Sequence, residues 1–138
     1  MEDIEKDSGR IIQKIRKYER DSSSTKHLFY NGQVLYSKLR PYLNKVVIAD
    51  EDGFCTSEIL PLNLANIIVP QYALYYLMSP TFLKYANRCS YGVKMPRLGT
   101  ADGKKAVFPL PPFQEQQQIA VQVSKILAVI DSILTSLL

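Results

Sequence analysis

A single histidine, His27, and two cysteines, Cys55 and Cys89, are all that 138 residues offer in imidazoles and thiols. A Cys–His nucleophile pair needs an activated thiolate, and no local spacing ties His27 to either cysteine. The cysteines are too few and too far apart to suggest a metal site. They read as free thiols rather than a disulfide, because the acidic opening (Glu2, Asp3, Glu5, Asp7) lacks the basic start of a secretion leader. There is no Walker-type loop and no dinucleotide fingerprint. The Asn-Pro-Pro-Tyr motif of amino-group methyltransferases is also missing, since Pro109 to Phe113 has neither the Asn nor the Tyr. The longest apolar stretches are interrupted by Asn63, Asn66 and Pro70, so no stretch reads as a membrane span. These absences point to a cytoplasmic protein without catalysis, cofactor, metal or membrane. Asp50-Glu51-Asp52 is the one acidic cluster that invites a metal reading. Asp-Gly after a strand is a common hairpin turn, however, and no further ligand spacing follows.

Positive charge is what the chain does have, +4 overall with a pI near 9.0. Nine Lys/Arg lie between Arg10 and Lys45 (Arg10, Lys14, Arg16, Lys17, Arg20, Lys26, Lys38, Arg40, Lys45) against Glu19 and Asp21. Six more (Lys84, Arg88, Lys94, Arg97, Lys104, Lys105) lie between Thr81 and Lys105 against Asp102. Charge runs commonly form a solvated face. Two clusters interleaved with Tyr and Ser also suit an anionic polymer.

At 46% hydrophobic the composition supports a packed core. The patch Ile11-Ile12 with Ile15 fits a short strand or one helical turn, and 21–26 reads as an exposed loop. Asn31-Gly32 is a tight-turn signal, followed by a strand over Val34-Leu35-Tyr36 that Arg40-Pro41 stops. The β-branched run Val46-Val47-Ile48 is a buried strand, and Phe54 to Leu62 is a further strand region. Pro70 opens a helix with Tyr72, Leu74, Tyr75, Leu77 and Met78 on its apolar face. Ser79-Pro80 restarts a second helix to about Cys89. The helical spacing of the tyrosines argues for packing rather than base stacking. Ser90 to Arg97 is a polar loop in which Gly92 permits close backbone approach and Lys94 and Arg97 can bind phosphate. Arg97 could also pair bidentately with a guanine edge. Thr100 to Gly103 makes a brief helical turn, and Ala106 to Leu110 a last strand.

Prolines 109, 111 and 112 mark the switch to a final helix. From there Ile119, Val123, Ile126, Ile130, Ile133 and Leu137 recur at alternating steps of four and three. This is a heptad seam, with Val123, Ile130 and Leu137 at a and Ile119, Ile126 and Ile133 at d. Sustained heptads ordinarily specify a helix partner. Leu127, Leu134 and Val129 widen the stripe, as in a helix lying on its own domain.

Three blocks carry a family resemblance. Pro109-Leu110-Pro111-Pro112-Phe113-Gln114-Glu115-Gln116-Gln117-Gln118-Ile119 resembles the junction between recognition domain and spacer helix in specificity subunits of type I restriction–modification systems. The run from Gly32 to Lys45 is similar to that family's Gly-Asp-(Ile/Val)-Leu-x-Ser-Lys-(Ile/Leu)-Arg-Pro block, and Gly92 to Leu98 to its Gly-x-x-x-Pro-Arg-Leu block. Thr56-Ser57-Glu58 resembles a Ser-(Ser/Thr)-Glu motif of the same family. The blocks stand in the family's order.

The resemblance implies an α+β fold: a mixed, curved sheet, short packing helices and a long C-terminal coiled-coil-type helix. It implies a target recognition domain over 1–112, partial because the strands that usually open it would precede Met1, and a spacer or dimerisation helix over 113–138. Members of the family are non-catalytic. Each recognition domain reads one half of a split site in double-stranded DNA, and the spacer helices pair antiparallel. A modification (methyltransferase) subunit docks and methylates adenine, and a restriction subunit translocates and cleaves. The residues expected at DNA are Ser37, Lys38, Arg40, Lys45, Ser57, Tyr91, Lys94 and Arg97. Those expected at the helix pair are the six seam residues, which would also support a homodimer. The competing readings are a truncated remnant that only dimerises, and a thiol hydrolase using Cys89 and His27.

Overall fold

The computed structural model describes residues 3–15 and 25–138. Arg16, Lys17 and Arg20 of the first basic cluster, and most of the polar run before Lys26, lie outside the described residues. Among the described residues, seven strands and four α-helices follow one another: β1 (Lys26–Phe29), β2 (Val34–Ser37), β3 (Val46–Ile48), β4 (Gly53–Thr56), β5 (Ile59–Leu62), α1 (Pro70–Met78), α2 (Pro80–Cys89), β6 (Ser90–Tyr91), β7 (Arg97–Leu98), α3 (Thr100–Lys105) and α4 (Phe113–Leu137). The class is α+β with a long C-terminal helix, as expected. The strands divide among three small sheets, β3-β2-β5, β1-β4 and β6-β7, each paired antiparallel.

All four residues of β2 are buried, because this central strand has a core on either side. Alternation of side chains sends Val34 and Tyr36 to one face and Leu35 to the other. On the first face they join Val46 with Ala73, Leu74 and Leu77 of α1, Phe82 and Ala86 of α2, and Leu98. On the second, Leu35 meets Ile4, Val47, Ala49, Cys55 and Ile59. Val34 and Val46 are fully buried, and each contributes roughly 1.5–3 kcal/mol by leaving water.

The turns differ from simple hairpins. Gly32 adopts φ +85°, and Gln33 N–H closes the turn onto Tyr30 C=O at 3.1 Å. Yet β1 pairs with β4 and not with β2. Likewise Asp50–Gly53 joins β3 to β4 without pairing them; it carries the chain across to β1. Gly53 lies opposite Phe29, whose ring tip stands 2.7 Å from where a Cβ would be, so any other residue there would push the ring aside. The expected region Phe54 to Leu62 is two strands broken at Ser57-Glu58.

The α1–α2 break follows from Pro80, which cannot continue α1 and suits the first turn of α2. Ser79 Oγ accepts a hydrogen bond from Phe82 N–H at 3.3 Å, the expected cap. Residues 106–112, in contrast, form no strand. Their carbonyls are taken by tyrosine hydroxyls instead: Tyr76 donates to Val107 at 2.8 Å and Tyr72 to Pro109 at 3.0 Å. Phe108 sits edge-on to both rings, at 5.9 Å and 4.7 Å. With prolines removing backbone donors, a sheet partner would have found little to pair with.

Helix α4 packs on the domain through its first turns and then runs exposed, with Arg10 Nη2 lying 3.8 Å from Asp131 Oδ2. Gln116 and Ala120 are buried, Ile119 and Val123 half-buried, and Tyr75 Oη meets Ser124 Oγ at 2.5 Å. From Ser124 onward every residue is exposed. This helix is long and apolar enough, by length and composition, to cross a membrane. That corrects the sequence reading, which weighed only the interrupted apolar stretches. The seam helix carries just Lys125 and Asp131 as charges beyond Glu115.

Candidate functional site

The residues expected at DNA come from separate stretches and gather at one end of β2. Ser37 N–H bonds to Lys45 C=O at 3.0 Å on one side. On the other, Ser37 lies opposite Ile59, next to Ser57 and Glu58. Beyond Ser37 the chain keeps pairing. Lys38 N–H donates to Glu58 C=O (3.0 Å), Leu98 N–H to Lys38 C=O (2.9 Å), and Arg40 N–H to Pro96 C=O (2.7 Å). Leu39 forms a bridge with Arg97. The two blocks that stand far apart in sequence are therefore one hydrogen-bonded ladder.

Arg40 ends that ladder in the left-handed region (φ 51°, ψ 65°), and Pro41 then starts a 3-10 turn over Pro41–Leu43. Proline ordinarily pushes the residue before it to extended backbone, so the left-handed Arg40 is a strained position, held by its N–H bond to Pro96 C=O. The half-buried Arg40 has its Nε enclosed without a hydrogen-bond partner among the described residues.

β6 and β7 form a short hairpin on the same end, with Tyr91 opposite Arg97. Gly92 takes φ +96°, and a Cβ there would press on Met95 C=O at 3.3 Å. The hairpin loop carries Val93, fully exposed, with Lys94 and Met95 exposed beside it. The stretch read as a plain polar loop thus has a defined two-stranded base.

Individual placements differ in what they leave accessible. Tyr91 and Lys94 are exposed, and Lys38, Arg40, Lys45, Ser57 and Arg97 are half-buried. Ser37 is 2% exposed and its hydroxyl donates to Leu39 C=O at 3.2 Å, so it braces the ladder from within. Arg97 Nε donates to Glu58 Oε2 at 3.1 Å. Sequence reasoning noted Glu58 only as part of a motif and did not place it at the site. The signal was that motif itself. Gln116 was missed as well, although it lies within the proline junction block.

Cys89, the thiol of the catalytic alternative, ends α2 and packs against the first core, whereas His27 lies in β1 paired with β4. His27 stands opposite Cys55 in the β1–β4 ladder, but its Nδ1 faces Ile59 C=O at 3.0 Å. The Cys55 thiol is directed at the carbonyls of His27 and Ile59, each 3.7 Å away. Burial pushes this thiol up from its ordinary value, the opposite of activation. The acidic turn is held by Lys14, whose Nζ lies 2.7 Å from Asp50 and 3.1 Å from Glu51.

A second surface lies on α4. Ile126, Ile130, Ile133 and Leu137 of the seam are exposed, as are Leu127 and Leu134 beside them. Ile119 and Val123, the first two seam positions, are partly covered by the chain's own domain.

Known proteins resemble this chain in sequence and in fold. A family model for the type I restriction modification DNA specificity domain matches residues 8–137. The type I restriction enzyme EcoDI specificity subunit of Escherichia coli is 35% identical over 111 residues, 80% of this chain and 24% of that protein. The crystal structure of an HsdS subunit from Thermoanaerobacter tengcongensis aligns with TM-score 0.73 at 21% identity, covering 96% of this chain and 35% of that one. The chain thus spans about a quarter of the length of the curated relative it matches.

Proposed function

Since the chain belongs to the family of type I restriction–modification DNA specificity domains, we propose that it reads one half of a split site in double-stranded DNA and contributes no chemistry. The observation that carries this reading is the convergence of Lys38, Arg40, Tyr91, Lys94 and Arg97 on one end of the β2 ladder. Lysines and arginines supply phosphate contacts and hence salt-sensitive affinity. A two-stranded ribbon fits the major groove, so the β6–β7 hairpin enters it, with Lys94 at the loop and Arg97 at the base. Lys45 and Ser57 flank the contact, and Ser37 supports it from inside.

The recognition unit is residues 1–112, and 113–138 is the spacer helix, anchored by its first turns. The bare seam beyond Ser124 takes an antiparallel partner helix, and a second copy of this chain supplies one. Two copies would then read a symmetric split site. A partner helix is favoured over a membrane by the seven-residue period and by the docking of the helix base through Gln116 and Ser124. The modification and restriction subunits are the further partners, and the place of work is the cytoplasm.

Fluorescence anisotropy with duplex DNA at low and moderate salt tests the reading, on the chain alone and with its modification subunit. Binding is expected to weaken steeply with salt, and Lys94→Ala to lower the log–log salt slope by about one. A stable dimer that binds no DNA under any of these conditions would leave only the remnant reading, a helix-mediated interaction module.

A further inference from the structure

Arg97 is clamped at the backbone from both sides. Tyr91 pairs with it across the β6–β7 hairpin, and Leu39 bridges it from the strand beyond β2. Glu58 is tied to the same ladder by one bond, its carbonyl accepting from Lys38 N–H. The two side chains meet although 39 residues separate them, and the contact uses a single guanidinium edge, Nε to Oε2 at 3.1 Å. Among the described residues no other hydrogen bond engages this guanidinium, and the Arg97 side chain is 39% exposed. Both terminal amino groups therefore remain for a ligand.

We propose that Glu58 is a positioning residue for sequence readout: its carboxylate holds Arg97 by Nε and presents the two terminal amino groups as a preset fork to a base edge. This rests on the DNA-recognition reading and adds what selects among sequences.

A free arginine samples many rotamers, and ordering it on binding opposes association. Holding Nε beforehand removes part of that cost and fixes the plane of the fork, which a bidentate contact to guanine O6 and N7 requires. The carboxylate has a second effect. A negative charge beside an anionic ligand weakens attraction to phosphates in general, so Glu58 lowers non-specific affinity while favouring the matched base. A role limited to fold stability is a poor fit, because a partly exposed ion pair contributes modestly and the backbone ladder already joins both segments.

The test uses the full chain, alone and with the modification subunit, against a duplex DNA library with a randomised segment. Selected duplexes are then compared with the unselected pool for affinity. Glu58→Ala is expected to reduce the ratio of selected to unselected affinity by at least about tenfold, with affinity for the unselected pool unchanged or higher. Glu58→Gln keeps an oxygen acceptor for Nε and is expected to restore most of the ratio. Adding Glu58→Ala to Arg97→Ala should change the ratio no further. A ratio that survives Glu58→Ala overturns the proposal. So does a parallel loss of selected and unselected binding with a lowered Tm that Glu58→Gln fails to rescue, because the pair would then be structural only. If the unaltered chain enriches no sequence and binds no DNA, the recognition reading fails first, and the positioning role with it.

Discussion

A glutamine amide can make four hydrogen bonds, and Gln116 makes three of them inside the protein. Its oxygen accepts from Val69 N–H at 2.8 Å, and its nitrogen donates to Ile67 C=O at 3.0 Å and Pro111 C=O at 2.9 Å. Val69 is the residue that precedes α1 and has no side-chain cap of its own. One side chain, 1% exposed, therefore closes the start of α1 and the start of α4 together. Gln116→Leu keeps the volume and strands three backbone groups. It should cost about 3 kcal/mol and lower Tm by on the order of 10 °C, read by thermal melting followed with circular dichroism. Tyr36 gives a pH prediction at the same scale. Burial pushes its phenol up to about 12, whereas the unfolded chain ionises near 10. Only the unfolded state gains by losing the proton between these values. Stability should therefore be complete below about pH 10 and fall towards pH 12. Tyr36→Phe should flatten that fall in denaturant midpoints measured across the range.

At the scale of elements, α4 joins two behaviours in one helix. Its first turns are an ordinary amphipathic face on α1, and its last turns present an apolar stripe to water. Leu127, Val129 and Leu134, which would widen the face turned to the chain's own domain, are exposed with the rest of the later turns. Because Ile126 and Ile130 are 59% and 45% exposed, neither belongs to the buried core. The double change Ile126→Asp, Ile130→Asp should leave the circular dichroism spectrum of the domain intact and shift light scattering to the monomer mass. An oligomer of unchanged mass would remove the seam as its cause. The extended segment before α4 works with the helix: the tyrosine hydroxyls of α1 hold its carbonyls, so the exit angle of α4 is set by side chains of a different element.

For the whole molecule, the β2 ladder is the common frame. One face of its sheet packs α1 and α2, which anchor α4, while the end of the ladder carries the basic hairpin. The distance from the basic hairpin to the seam is thereby carried by packed elements rather than by a linker. Much of this was legible beforehand. The strands at Val34 and Val46, the helices opened by Pro70 and Pro80, the cap at Ser79 and the α4 helix all arise from causes spanning a few residues. The basic site residues were legible as types, not as a place. Their meeting depends on the pairing of 38–40 with 96–98, which no local pattern encodes.

By itself the sequence determined the periods, the breaks and the charge of each element, because steric limits at proline and glycine and the burial of apolar faces act locally. The tertiary structure alone decided that Asn31-Gly32 and Asp52-Gly53 turn without making hairpins, and that 106–112 stays extended without a strand partner. It alone brought Glu58 to Arg97 and buried Gln116. The physical reason is the same in each case. A hydrogen-bonding group is satisfied by whichever partner the packed core brings within about 3 Å, and that partner can lie anywhere in the chain.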